Sequence, residues 1–196
     1  AFAVAVRSTV VTLDAYTGER RATIDVSAGA LSVADLDRDG TSELLVASDD
    51  GSMGLAISSR DEVALWDERG RWSGPVSGDL NADGNTDFVI VSQEGELLAG
   101  DISGVLFRVD VAPTHSPPAI GDVDGDGFLE IVLATAQGLH VVRPNGLSQA
   151  GFPAARGVPV LPVEPVLADV NLDGAQEIFA ATSEGVTAFN NSGEQL

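Results

Sequence analysis

Four short acidic segments recur along the chain at nearly constant intervals, and no other feature restricts its possible folds as strongly. They read DLDRDGTSE (35–43), DLNADGNTD (79–87), DVDGDGFLE (122–130) and DVNLDGAQE (169–177), with starts 44, 43 and 47 residues apart. The register extends beyond the loops. A small residue precedes each one (Ala34, Gly78, Gly121, Ala168), and the second loop position is always apolar (Leu36, Leu80, Val123, Val170). An apolar run follows (LLVA, FVIV, IVLA, IFAA). It ends on a hydroxyl residue (Ser48, Ser92, Thr135, Thr182), with glycine at one constant offset after it (Gly51, Gly95, Gly138, Gly185). A period of this length, kept in register four times, signals a repeat architecture.

The runs between the loops are short, apolar and bounded by Gly, Asp and Pro, which reads as strands. About four fit in each period. In the second repeat they are VSGDL, FVIVS, ELLAGD and VLFRVDV; in the third, PAIGDV, EIVLAT, LHVV and a weaker one near LSQAGF. No segment carries a 3.6-residue apolar stripe. The expected class is therefore all-β, a β-propeller of four-stranded antiparallel blades. The N-terminal AFAVAVRSTVVTLDAYTGE aligns with IFAATSEGVTAFNNSGE (178–194) once a two-residue insertion is allowed. The expected organisation is one propeller domain or fragment over 1–196, with a truncated repeat at 1–30. Full repeats are expected at about 31–74, 75–117, 118–164 and 165–196. That makes about four and a half blades, and neither end is expected to close a ring.

Each loop places carboxylates or carboxamides at positions 1, 3 and 5 and a carboxylate at position 9. Such alternation turns side chains toward one point when the backbone wraps, and Gly at position 6 permits the sharp turn. The candidate metal ligands are Asp35, Asp37, Asp39 and Glu43; Asp79, Asn81, Asp83 and Asp87; Asp122, Asp124, Asp126 and Glu130; and Asp169, Asn171, Asp173 and Glu177. Position 7 adds a main-chain carbonyl from Thr41, Asn85, Phe128 or Ala175, whose varied side chains suit a backbone ligand. Hard oxygen ligands in this number suit Ca²⁺, whereas Mg²⁺ prefers fewer protein ligands in rigid octahedral geometry. The helix–loop–helix calcium motif is excluded, because position 12 is Val46, Ile90, Leu133 or Ala180 and strands flank every loop. The loops hold 14 of the 30 acidic residues, and about four Ca²⁺ per chain would bring the net charge from −20 to −12.

The unit PAIGDVDGDGFLEIVLATAQG (118–138) resembles the FG-GAP (VCBS) repeat of integrin alpha-subunit propellers and of many bacterial and archaeal surface proteins. The resemblance covers nearly the whole chain. It implies that each loop joins the first two strands of a blade, that the metal is structural, and that a full propeller has about seven blades. Two departures stand out. Asn81 and Asn171 replace Asp, which implies weaker sites there, and the Phe-Gly and Gly-Ala-Pro signatures of the family are degenerate.

The net charge of −20, with ten Arg and no Lys, makes nucleic acid and anionic membrane poor partners. No apolar run is long enough for a membrane helix, and the absence of cysteine excludes disulfides and thiolate metal sites. No catalytic constellation appears. His115 in APTHSPP reads as a surface loop and His140 in LHVV as a sheet position. Of Trp66 and Trp72, at least one is expected to be a buried packing anchor. LDAYTGE (13–19) resembles the repeat edge of quinone-cofactor propellers, in a single copy that a Thr-Gly turn also explains.

Calcium sites of this kind in extracellular modules have dissociation constants on the order of 10⁻⁴–10⁻³ M, which places the expected location outside the cell or on its surface. The expected function is a binding or adhesion module for a protein or glycan. The alternatives are an accessory or catalytic propeller of a carbohydrate-active enzyme such as a polysaccharide lyase, and a structural repeat that assembles with further blades or copies. A lyase needs a base and a charge-neutralising cation beside an acidic sugar, whereas Arg20–Arg21 is the sole adjacent basic pair.

Overall fold

The computed structural model describes the chain except for residues 1, 7–8, 15, 26–27, 49–54, 60–61, 67–69 and 155–158. The side chains at 2–6, 22, 24, 28, 48, 55–59 and 62–66 also lie outside the described residues. Among the described residues there is no helix. Seventeen strands form five antiparallel sheets, each a meander in chain order.

The first sheet holds β1 (Phe2–Val6), β2 (Thr9–Leu13) and β3 (Arg20–Ile24); the second holds β4 (Ala28–Ala34), β5 (Glu43–Ser48), β6 (Leu55–Ser59) and β7 (Glu62–Trp66). The third holds β8 (Trp72–Gly78), β9 (Asp87–Ser92), β10 (Glu96–Asp101) and β11 (Gly104–Asp110). The fourth holds β12 (Ala119–Gly121), β13 (Glu130–Thr135) and β14 (Gly138–Val142); the fifth holds β15 (Val166–Ala168), β16 (Glu177–Thr182) and β17 (Gly185–Phe189). The four acidic loops connect the first two strands of sheets two to five.

The weak fourth strand near LSQAGF does not form a ladder. Residues 143–154 instead make isolated bridges, Val142 with Ser148 and Leu139 with Ala154. Pro144 and Pro153 bring no N–H to a ladder there, and Gly146 and Gly151 turn the chain at φ 80° and 92°.

The sheets stack face to face, and the period-2 alternation of the middle strands explains how. In β9, Phe88 and Ile90 pack with Leu36, Leu45 and Ala47 of the preceding sheet and its loop, while Val89 and Val91 pack with Ile131 and Leu133 of the following one. In β13, Val132 and Ala134 face Ile178 and Ala180 of β16. A middle strand covered on both faces must be apolar at every position, and β9 and β13 are buried throughout. Trp72 is 3 % exposed within the contact between sheets two and three, the packing anchor expected of one tryptophan; the side chain of Trp66 lies outside the described residues.

The hairpins after β9, β13 and β16 explain the recurrent hydroxyl and glycine; the Ser48 side chain and Gly51 lie outside the described residues. Thr135 Oγ1 donates to the carbonyl of Gly138 at 3.0 Å, and Thr182 Oγ1 to that of Gly185 at 3.0 Å. Ser92 Oγ accepts the N–H of Glu96 at 2.9 Å. Gly95, Gly138 and Gly185 take φ of 99°, 121° and 125°, which side chains rarely adopt.

LDAYTGE closes a tight turn after β2. Asp14 accepts the N–H groups of Tyr16 and Thr17 and pairs with Arg21. The Thr17 N–H, then Arg21, then the Tyr16 N–H hold its carboxyl well below the usual range. Asn190 plays the same part after β17, accepting the N–H groups of Ser192 and Glu194.

Candidate metal centre

Each acidic loop is wired by the same three hydrogen bonds. The position-1 aspartate accepts the N–H of the position-6 glycine: Asp35 from Gly40, Asp79 from Gly84, Asp122 from Gly127 and Asp169 from Gly174, at 2.8–3.1 Å. The position-5 aspartate accepts the N–H of position 7 at 2.7–2.9 Å, so Thr41, Asn85, Phe128 and Ala175 are held against Asp39, Asp83, Asp126 and Asp173. The position-9 acid reaches back seven residues to the N–H of the apolar position 2. Glu43 accepts from Leu36, Asp87 from Leu80, Glu130 from Val123 and Glu177 from Val170, at 2.8–3.0 Å.

These bonds draw the carboxylates inward and leave some of their oxygens unsatisfied. Asp35 Oδ1, Glu43 Oε1, Asp87 Oδ1 and Asp124 Oδ1 are buried without a hydrogen-bond partner. A buried anionic oxygen without a donor is costly, and a bound cation removes that cost. Carboxylate oxygens of Asp35, Asp37 and Asp39, and of Asp122, Asp124 and Glu130, lie within 4.8 Å of one another, so both groups could hold a metal ion. These are the loops with Asp at position 3.

In the fourth loop Asn171 Nδ2 donates to Asp173 Oδ2 at 3.0 Å and to Glu177 Oε1 at 2.6 Å, so the amide already satisfies oxygens that a cation would take. In the second loop Asn81 Oδ1 accepts the N–H of Asp83 at 2.9 Å. Among the described residues, neither Asn-bearing loop gathers three carboxylates within that distance.

The electrostatics agree with the crowding. Burial, followed by the charges of Asp124, Asp126 and Asp122, pushes the Glu130 carboxyl up to about 7. Burial, followed by Asp83, Asp79 and Asp101, pushes Asp87 up to about 6. In each case the position-2 N–H opposes the rise. An all-oxygen set of this charge fits a hard divalent cation.

Two positions escaped the reading from sequence. Position 4 is left-handed in every loop: Arg38 (φ 60°), Ala82 (56°), Gly125 (77°) and Leu172 (64°). Only Gly125 announces this by its residue type. Position 8 is the other, because it touches the preceding loop. The Leu129 N–H donates to the Leu80 carbonyl at 3.2 Å, and the Gln176 N–H to the Asp122 carbonyl at 2.9 Å. Their side chains press on the small residue before that loop. A Cβ on Gly78 would lie 3.0 Å from Leu129 Cδ1 and 2.7 Å from Ile120 Cδ1, and one on Gly121 would overlap Gln176 Oε1. Neighbouring loops are thus in direct contact, which also explains the small residue at that position.

No protein-family model matches the chain, and no curated protein does. Solved structures share its fold. The structure of BBS1N in complex with ARL6DN is 13 % identical, with a TM-score of 0.65 over 97 % of this chain and 60 % of that one. The V. cholerae biofilm matrix protein Bap1 is 21 % identical, with a TM-score of 0.64 over 95 % of this chain and 32 % of that one. A lectin of Agrocybe aegerita, described as recognising non-reducing terminal N-acetylglucosamine, is 13 % identical, with a TM-score of 0.55 over 96 % of this chain and 59 % of that one. This chain spans less than two thirds of each. At these identities the likeness shows the fold alone, the stacked antiparallel sheets of a β-propeller.

Proposed function

We propose that the chain is a calcium-braced β-propeller of the FG-GAP/VCBS type, acting outside the cell or on its surface as a binding module for a protein or glycan. The observation that carries this reading is the set of buried carboxylate oxygens without partners at proposed ligand positions of the first three acidic loops, on Asp35, Glu43, Asp87 and Asp124. The residues that would hold Ca²⁺ are the acids and carboxamides at positions 1, 3, 5 and 9 with the position-7 carbonyl. The loops with Asp37 and Asp124 bind more tightly than those with Asn81 and Asn171. The ion supplies only charge and coordination. It relieves repulsion among the ligands, so binding and loop folding are coupled. Because neighbouring loops touch, the ions brace the stack of sheets along the side where the loops meet. The lectin among the similar structures is compatible with a binding role, although a quinohemoprotein alcohol dehydrogenase shares the fold as well.

The test is a thermal melt of calcium-loaded protein with and without chelator, together with a metal count by elemental analysis. Two to about four Ca²⁺ per chain and a steep fall in Tm on chelation are expected, with Asp124→Ala lowering the count by one. No bound metal and an unchanged melt would reduce the loops to acidic turns and remove the reading.

A further inference from the structure

A cleft of about 310 Å³ lies between the second acidic loop, the third, and the turn that follows β14, lined by Asn81, Asp126, Phe128, Pro144 and Asn145. We propose that this cleft binds a neutral pyranose of a glycan chain. The inference rests on the binding-module reading and narrows its partner to a sugar at a stated place.

The polar groups of the cleft are oriented by their own backbone. Asn81 Oδ1 accepts the N–H of Asp83 at 2.9 Å, Asn145 Oδ1 that of Leu147 at 3.0 Å, and Asp126 Oδ1 that of Phe128 at 2.9 Å. With each amide oxygen committed to a backbone donor, the groups left to face a ligand are Asn81 Nδ2 and Asn145 Nδ2. Neither of these makes a further hydrogen bond among the described residues. Two fixed amide donors match adjacent sugar hydroxyls, each of which can accept as well as donate.

Phe128 is 41 % exposed. With Pro144 it offers an apolar surface to the C–H face of a pyranose, the division of labour seen in small-ligand sites. The turn that carries Asn145 is itself seated, because a Cβ on Gly146 would lie 3.1 Å from the Phe107 ring. The net charge of −20 disfavours acidic sugars, so the ligand is neutral. Metal binding at positions 3, 5 and 7 of these loops fixes Asn81, Asp126 and Phe128, so sugar binding depends on calcium.

The probe is a panel of methyl glucoside, galactoside and mannoside with the methyl glycosides of the two common N-acetylhexosamines. Binding is followed by saturation-transfer NMR and titration calorimetry in millimolar calcium. At least one sugar is expected to bind and to lose binding on chelation. Asn145→Asp keeps the acceptor for Leu147 and removes the donor; it lies outside every acidic loop and is expected to weaken that sugar about tenfold at unchanged calcium content and Tm. Phe128→Ala is expected to abolish binding and Phe128→Tyr to retain it. Calcium-dependent sugar binding unaltered by Asn145→Asp and Phe128→Ala would overturn this cleft and leave the module reading standing. Full metal content with no sugar bound would overturn the glycan assignment, leaving a protein partner. A chain that bound neither metal nor sugar would remove both readings.

Discussion

Glu130 and Asp87 show what the loops cost without a cation. Each is buried, each accepts one backbone N–H, and each stands among three other carboxylates. The Glu130 carboxyl is raised from 4.5 to about 7, so the folded chain holds this proton more tightly than the unfolded chain does. The stability linked to it is full below 4.5 and is lost as pH rises through about 7. Asp87 acts in the same direction between 3.8 and about 6. In chelator, lowering the pH from about 7.5 to about 5 is therefore expected to raise Tm, by a stability on the order of 1–3 kcal/mol. Glu130→Gln should flatten most of that rise. With calcium present the trend reverses, because protons and cation compete for the same oxygens. A metal-free Tm that fell steadily over that range would contradict the crowding described for these loops.

At the scale of elements, backbone approaches set the limits. Gly95 sits in the hairpin between β9 and β10 at φ 99°, where an added Cβ would overlap the Val111 carbonyl. Gly151, at φ 92°, meets the Ser192 carbonyl of the turn after β17 in the same way. Gly18 has φ 70° with nothing within 4 Å of its added Cβ. Alanine at Gly95 or Gly151 is expected to cost about 3 kcal/mol or more, from left-handed strain plus collision with main chain. Alanine at Gly18 should cost about 1–2 kcal/mol, from strain alone. Urea unfolding of the three variants checks the ranking, and equal losses would show that conformation rather than contact governs these sites. Gly95 stood out in sequence by its constant offset. Gly151 did not, because its constraint comes from a residue 41 positions away.

At the scale of the whole molecule, the apolar second position of each loop reports on the stacking of sheets. Leu36, Leu80 and Val123 are 2 %, 1 % and 0 % exposed, each packed against the sheet that follows, whereas Val170 is 63 % exposed. Leu36→Ala and Leu80→Ala are expected to cost about 2–5 kcal/mol, and Val170→Ala no more than about 0.5 kcal/mol. Comparable losses at all three, measured by denaturant unfolding, would refute the account of sheets covering one another in sequence. Much of this architecture was legible beforehand. Local physics writes itself into residue type, so alternating apolar runs, Asp or Asn at loop positions 1, 3 and 5 and Gly at loop position 6 determined the strands, the loops and their oxygen-rich chemistry. The tertiary structure alone decided which of these equivalent positions differ. It made Trp72 the buried anchor of one sheet contact and left Val170 exposed. It turned the Asn171 amide onto the oxygens a cation would use, and it placed Asn145 beside a loop more than fifteen residues earlier in the chain. Repeats share a sequence pattern but not neighbours, and burial, contact and charge crowding are properties of neighbours.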